Sequence, residues 1–137
     1  MKKYSVKYIL PTLLWMALIF VSSSIPADAF PQVDSWIWAK LIHVLYFGVL
    51  ALLLQRALRQ QTRWRLLLRY VQIMSILIAV FYGASDEFHQ LFTVGRHAQF
   101  TDVFIDGFGA SLFILGSTAY RTLALKLAGM EGKGVRG

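Results

Sequence analysis

Three short stretches of this 137-residue chain gather acids, bases and amides at helical spacing. Lys40 and His43 are followed by Tyr46 and Phe47, so a helix through them carries cation, imidazole and phenol along one face. Tyr82, Asp86, His89 and Gln90 again share a face, flanked by Ser85 and Glu87, and Asp102 and Asp106 stack one turn apart. A connector with Arg96 and His97 joins the last two sets; His97, in a loop, is read as incidental. Such a set can run acid–base chemistry on a bound anion. Glu87 or Asp86 would be the general base and His89 or His43 the proton donor or nucleophile. Lys40 and Arg96 would hold a phosphate or carboxylate, the guanidinium by its fork and the ammonium as a point charge. Tyr46, Gln90, Asp102 and Asp106 would complete the contacts to such a ligand. A divalent cation would find oxygen ligands in Asp86, Glu87 and Asp102. The spacing is not H-E-x-x-H, so a zincin site is not supported. The chain has no Cys, which excludes disulfides, thiolate metal sites and a cysteine nucleophile.

The elements that must position these groups follow from composition. Apolar residues make up 57% of the chain and charged ones 15%, against about a quarter in soluble domains. There is too little polar material to coat a water-soluble domain, and the expected solvent is lipid. Apolar runs at about 8–22, 36–54, 70–92 and 101–123 are each close to the roughly twenty residues that cross a bilayer. The expectation is an all-α polytopic membrane protein, one domain over 1–137 built as a bundle of four transmembrane helices, with a mobile tail from about 128 to 137. No repeat or low-complexity tract interrupts it. Gly107, Gly109 and Gly116, with Ala110, Ser111 and Ser117, would let the fourth span approach its neighbours closely.

Charge gives the direction. Lys and Arg collect before the first span, between the second and third at Arg56, Arg59, Arg63, Arg65 and Arg69, and after Tyr120. Asp28, Asp34, Asp86, Glu87, Asp102 and Asp106 lie toward the opposite side, and Glu131 alone stays with the bases. The positive-inside rule then puts both termini in the cytoplasm and the ionisable cluster at the outer ends of the spans. Trp36 and Trp38 fit an outer aromatic belt and Trp64 an inner one. The net charge of +7 serves anionic lipid headgroups on the inner face, and no nucleic-acid partner is expected. An alternative makes the N-terminus a signal peptide cut after A-D-A at 27–29; the other three spans keep their direction either way.

Ionisable groups are costly in lipid and by default mark a site facing the bundle interior. Each has a plainer use: Lys40 can snorkel, Asp102 or Thr101 can cap the fourth span, and Arg96 can hold a turn. A purely structural ion network is disfavoured, because buried ion pairs contribute little net stability. Asp86, Glu87, Asp102 and Asp106 face only Lys40 and Arg96, so two charges remain to be balanced. Protonated His43 or His89, a carboxylate that keeps its proton, or a divalent cation would each balance them.

Residues 85–109, S-D-E-F-H-Q-L-F-T-V-G-R-H-A-Q-F-T-D-V-F-I-D-G-F-G, resemble the VanZ-like family of small bacterial membrane proteins. The likeness rests on D-E-x-H-Q, an Arg six residues on, then Asp, a second polar residue and Gly. K-L-I-H-V-L-Y-F-G at 40–48 and S-S-S-I-P at 22–26 extend it over about 22–116. The chain departs at Asp106, where the family more often has Asn. The resemblance implies a multi-pass protein of the bacterial cell membrane and a link to teicoplanin susceptibility, the property of the family's namesake.

Three functions fit the residues. The outer cluster can bind or modify an anionic amphiphile, an envelope lipid or a lipid-linked envelope precursor, entering from the outer leaflet. It can instead bind a lipoglycopeptide antibiotic, membrane lipids or a partner protein without catalysis. A proton-coupled transporter needs a polar path, which the apolar inner halves of the spans do not offer. Neither catalysis nor oligomeric state is fixed by these residues.

Overall fold

The computed structural model describes residues 3–26, 29, 36–61, 64–96 and 98–134, and only the backbone of 3–5, 36 and 129–134. Its elements are α1 (Lys3–Ser24), α2 (Trp36–Arg59), α3 (Arg65–Arg69), α4 (Val71–Gln90) and α5 (Phe100–Gly134). There is no strand among the described residues. The segments Val6–Ser24, Ile37–Arg59, Val71–Gln90 and Phe100–Ala128 are long and apolar enough to cross a membrane. The architecture is the expected all-α one with four such helices.

Two of the long helices, α2 and α5, outrun their apolar stretches. α2 carries on past 54 through Gln55, Arg56, Ala57, Leu58 and Arg59, because losing apolarity does not end a helix. α5 likewise continues beyond 123 to Gly134, so the tail expected to be mobile from 128 is helical up to that point, and 135–137 lie outside the described residues. At the other end α4 stops at Gln90, and Leu91 and Phe92 belong to a turn closed by the Phe92 N–H donating to the His89 carbonyl at 3.0 Å. Gly95, at φ 73°, supplies the left-handed residue that this connector needs. The short helix α3 was not foreseen: R-L-L-L-R sits within the arginine belt and buries none of its residues.

α2 and α4 pack against each other, α1 rests on both from one side and α5 on both from the other, and α1 and α5 do not meet. The shared core is Ile19, Phe47, Leu50, Ala51, Leu54, Ala79, Ala110 and Ile114. Two close approaches set its spacing. A Cβ on Gly109 would lie 2.5 Å from the Val44 carbonyl oxygen, so α5 crosses α2 backbone to backbone, and a Cβ on Gly48 would lie 2.5 Å from the Phe113 ring. A Cβ on Gly107 would come within 3.2 Å of the Val80 side chain, but one on Gly116, expected among the packing glycines, would meet nothing within 4 Å. It lies further along α5, beyond the crossing at Gly109.

The distribution of polarity is that of a membrane protein. Phe81 and Phe104 are 75% and 79% exposed, whereas Glu87 and Asp106 are 5% and 1% exposed. Water would oppose both halves of that arrangement; hydrocarbon opposes neither, provided the buried groups are partnered within the bundle. Trp38 and Trp64 are exposed, as belt residues should be, and the Trp36 side chain lies outside the described residues.

Candidate functional site

The C-terminal ends of α1 and α4 and the N-terminal ends of α2 and α5 meet at one end of the bundle, and every candidate residue identified from sequence lies there except His97, which is outside the described residues, as are Asp28 and Asp34. Within that end the groups divide into two halves, back to back across α4. Asp86 and Glu87 are adjacent, and adjacent residues on a helix point about 100° apart. One carboxylate therefore faces α1 and the other faces α2 and α5.

In the α1 half no buried side-chain nitrogen or oxygen lacks a protein partner among the described residues. Ser23 donates to Asp86 Oδ1 at 2.6 Å, and Gln90 Nε2 donates to Asp86 Oδ2 at 3.0 Å. The Ser24 hydroxyl and His89 Nε2 are 2.9 Å apart, and the His89 ring lies 4.5 Å from that of Phe20. Tyr82 donates to the Met16 carbonyl at 2.6 Å. Arg96 donates through Nε to the Ile25 carbonyl and through a terminal nitrogen to the Ser22 carbonyl, both at 3.2 Å. A cation on the last carbonyls of a helix satisfies orphan acceptors and complements the dipole, so Arg96 caps α1. Tyr46 also turns to α1: its carbonyl accepts from Trp15 Nε1 at 2.9 Å and its ring meets the Trp15 indole edge to face.

The other half is built differently. Lys40 forms an ion pair with Asp102 and donates to the Gln99 side-chain oxygen at 3.3 Å. His43 Nδ1 lies 2.9 Å from Asp106 Oδ1, and its Nε2 lies 4.0 Å from Asp102 Oδ2. Glu87 reaches across from α4, its Oε2 accepting the Gln99 N–H at 2.9 Å, and so ties down the start of α5. Its Oε1 is buried without a hydrogen-bond partner, and so is Asp106 Oδ2, which fills the space over Gly83 where a Cβ would come within 2.5 Å. Donor atoms of His43, Glu87 and Asp102 all lie within 4.8 Å of one another. Of the carboxylates expected to serve a cation, Glu87 and Asp102 are in this group, while Asp86 is turned toward Ser23.

A cavity of about 330 Å³ lies between α2 and α5 beside this half, lined by Leu41, Val44, Phe104, Ile105 and Phe108 and by Lys40. The apolar side chains around it are largely exposed, so it opens on the flank of the bundle that faces hydrocarbon. Lys40 thus belongs to both the apolar groove and the buried cluster.

Sequence reasoning missed Ser23, Ser24 and Gln99 as members of this layer. The run of Ser22, Ser23 and Ser24 at the end of an apolar span was the available signal, since hydroxyls there can bond to a neighbouring helix. Gln99 contributes its backbone N–H to Glu87 and its side chain to Lys40, and the backbone contact leaves no sequence signal.

No curated protein and no solved structure matches the chain. The family model described as VanZ/LLP1 matches residues 8–122, from the start of the first apolar run to the end of the fourth. That match takes in both halves of the polar layer and the groove beside it, and the chain belongs to the VanZ/LLP1 family.

Proposed function

We propose that this protein sits in the bacterial cell membrane with both termini cytoplasmic, and that its outer-leaflet cluster binds an anionic amphiphile, an envelope lipid or lipid-linked envelope precursor. The observation that carries this reading is the position of Lys40, one face on the buried Asp102 and the other lining an apolar groove open to hydrocarbon. A chain laid in the groove would bring its head to the ammonium and the imidazole, while the aliphatic stem of Lys40 continues the apolar wall. His43 and Glu87 are the residues placed to move a proton at that head, Nε2 of one and Oε1 of the other being without a hydrogen bond at normal distance among the described residues. The charge asymmetry of the chain supports the orientation, with Arg56, Arg59, Arg65 and Arg69 at the end of the bundle away from the cluster.

The test is extraction in mild detergent followed by mass spectrometry of retained lipids, for wild type, Lys40→Ala and Glu87→Gln. Wild type should carry an anionic amphiphile, reduced at least several-fold in Lys40→Ala. Retention in Glu87→Gln with loss of the cellular phenotype assigns catalysis; parallel loss of both assigns binding alone. Identical lipid content in all three preparations overturns the reading. Family membership supports teicoplanin susceptibility as the first phenotype to measure, by deleting and restoring the chain in its host.

A further inference from the structure

We infer that His43, Glu87 and Asp102 form a site for a divalent transition-metal ion, with Asp106 as the group that orients the histidine. The proposal deepens the reading above and rests on the same cluster, but it does not depend on which ligand the groove takes. Four observations lead to it.

The histidine is set up as a metal ligand. Metal-binding imidazoles use one ring nitrogen on the ion and fix the other with a carboxylate or carbonyl. Here Asp106, 1% exposed, holds His43 Nδ1 at 2.9 Å and leaves Nε2 turned toward Asp102. That second contact is 4.0 Å, too long for a hydrogen bond. Around a tetrahedral ion with bonds of about 2.1 Å two donors are about 3.4 Å apart, so this pair would close by about half an ångström to share one.

Glu87 supplies the independent sign of a missing ligand. It is 5% exposed, one oxygen is engaged by the Gln99 N–H, and the other is buried with no partner. A bare carboxylate oxygen in a membrane interior is costly, because no water is there to replace the missing partner. A cation would draw the donor atoms of His43, Glu87 and Asp102, which lie within 4.8 Å of one another, closer around itself and remove that cost.

Charge agrees. When all three are ionised, Glu87, Asp102 and Asp106 carry three negative charges against one on Lys40, which is paired with Asp102. With a neutral imidazole the half is short by two positive charges, and one divalent ion closes the balance. The α1 half shows no such shortage of partners, because Ser23 and Gln90 occupy both oxygens of Asp86.

The donor set selects the ion class. One imidazole and two carboxylates suit Zn²⁺, Mn²⁺ or Fe²⁺ over Ca²⁺, which takes six to eight oxygens. Three protein ligands leave a coordination position for water or for an oxygen of the amphiphile's head.

The experiment uses the full-length protein in detergent, stripped with EDTA and titrated with Mn²⁺ or Co²⁺ alone. Wild type should bind one ion per chain, and pulsed EPR of the Mn²⁺ form should show the ¹⁴N coupling of one imidazole. Glu87→Gln and His43→Gln should weaken binding at least tenfold, while Asp86→Asn, one residue away but facing α1, should match wild type. No uptake by wild type above a buffer blank, or bound Mn²⁺ without nitrogen coupling, overturns the proposal without any variant having to fold. Equal weakening by Asp86→Asn also overturns it, since that would be diffuse attraction to acidic groups. Amphiphile retention is measured on the stripped and loaded protein in parallel. Metal uptake without a retained amphiphile removes only the earlier reading, and a retained amphiphile without metal uptake removes only this one.

Discussion

The two halves of the polar layer use the same residue types to opposite effect. On the α1 side Asp86 accepts from Ser23 and Gln90, His89 meets Ser24, and Arg96 caps α1. On the α2 and α5 side Glu87 and Asp106 each keep a buried oxygen without a partner, and Lys40 opens onto a groove. The first half is a closed tie between helices. The second has bonding capacity left over, and unused capacity at a buried polar site is what a ligand can exploit. Counting carboxylates and histidines does not separate the two; counting their satisfied atoms does.

The comparison can be broken most forcefully at His43. His43→Leu leaves the Asp106 carboxylate buried without its one hydrogen-bond partner, and removing one member of a buried pair costs about 3–5 kcal/mol. Unfolding in a detergent–SDS titration should shift accordingly. Asp106→Asn keeps an acceptor for the imidazole and should shift far less. A shift as large for Asp106→Asn as for His43→Leu would mean that the carboxylate charge, and not only the hydrogen bond, holds the pair together.

Arg96→Ala comes next. It deletes two charge-assisted bonds to the carbonyls of Ser22 and Ile25, worth roughly 1.5–3 kcal/mol each before relaxation and water compensate. Amphiphile binding in the folded fraction should be unchanged; if binding is lost while stability holds, Arg96 belongs to the ligand site and the division into two halves is wrong. Ser23→Ala should be milder still, about 1 kcal/mol or less, since interhelical hydrogen bonds in membranes are individually modest. The same titration reads it, and metal binding should not move.

The smallest effect on stability is expected in the groove. Phe104 is 79% exposed, and Phe104→Leu should change stability by less than about 0.5 kcal/mol. Lipid retention measured by mass spectrometry should nevertheless fall, because the groove loses part of one wall. Unchanged retention would place the amphiphile elsewhere.

Much of this was legible from the residues. The four long helices were, because a span is a local property: about twenty apolar residues in sequence have few other places to go. Their ends remote from the polar cluster were less so, since α2 continues through its arginines and α5 through its charged tail, past the apolar stretch in each case. The faces were legible in part. Lys40 and His43 do meet Asp102 and Asp106, as pairs three and four residues apart on facing helices should. The single pocket expected from the same residues is instead a divided layer, and Arg96, expected beside Lys40 on one anion, caps α1. Tyr46 was placed with the ligand contacts, and the structure shows it against Trp15.

What the sequence by itself determined is the class of protein, the number of long apolar helices and the depth at which ionisable groups lie along them. All three follow from order along the chain and the length scale of a bilayer. Only the tertiary structure decided which neighbour each group meets. That choice depends on the angle around each helix and on which helix occupies that side, and it is fixed by crossings such as Gly109 on Val44. Asp86 and Glu87 are consecutive and chemically near-identical, yet one closes a tie with α1 and the other leaves an oxygen bare toward α2 and α5.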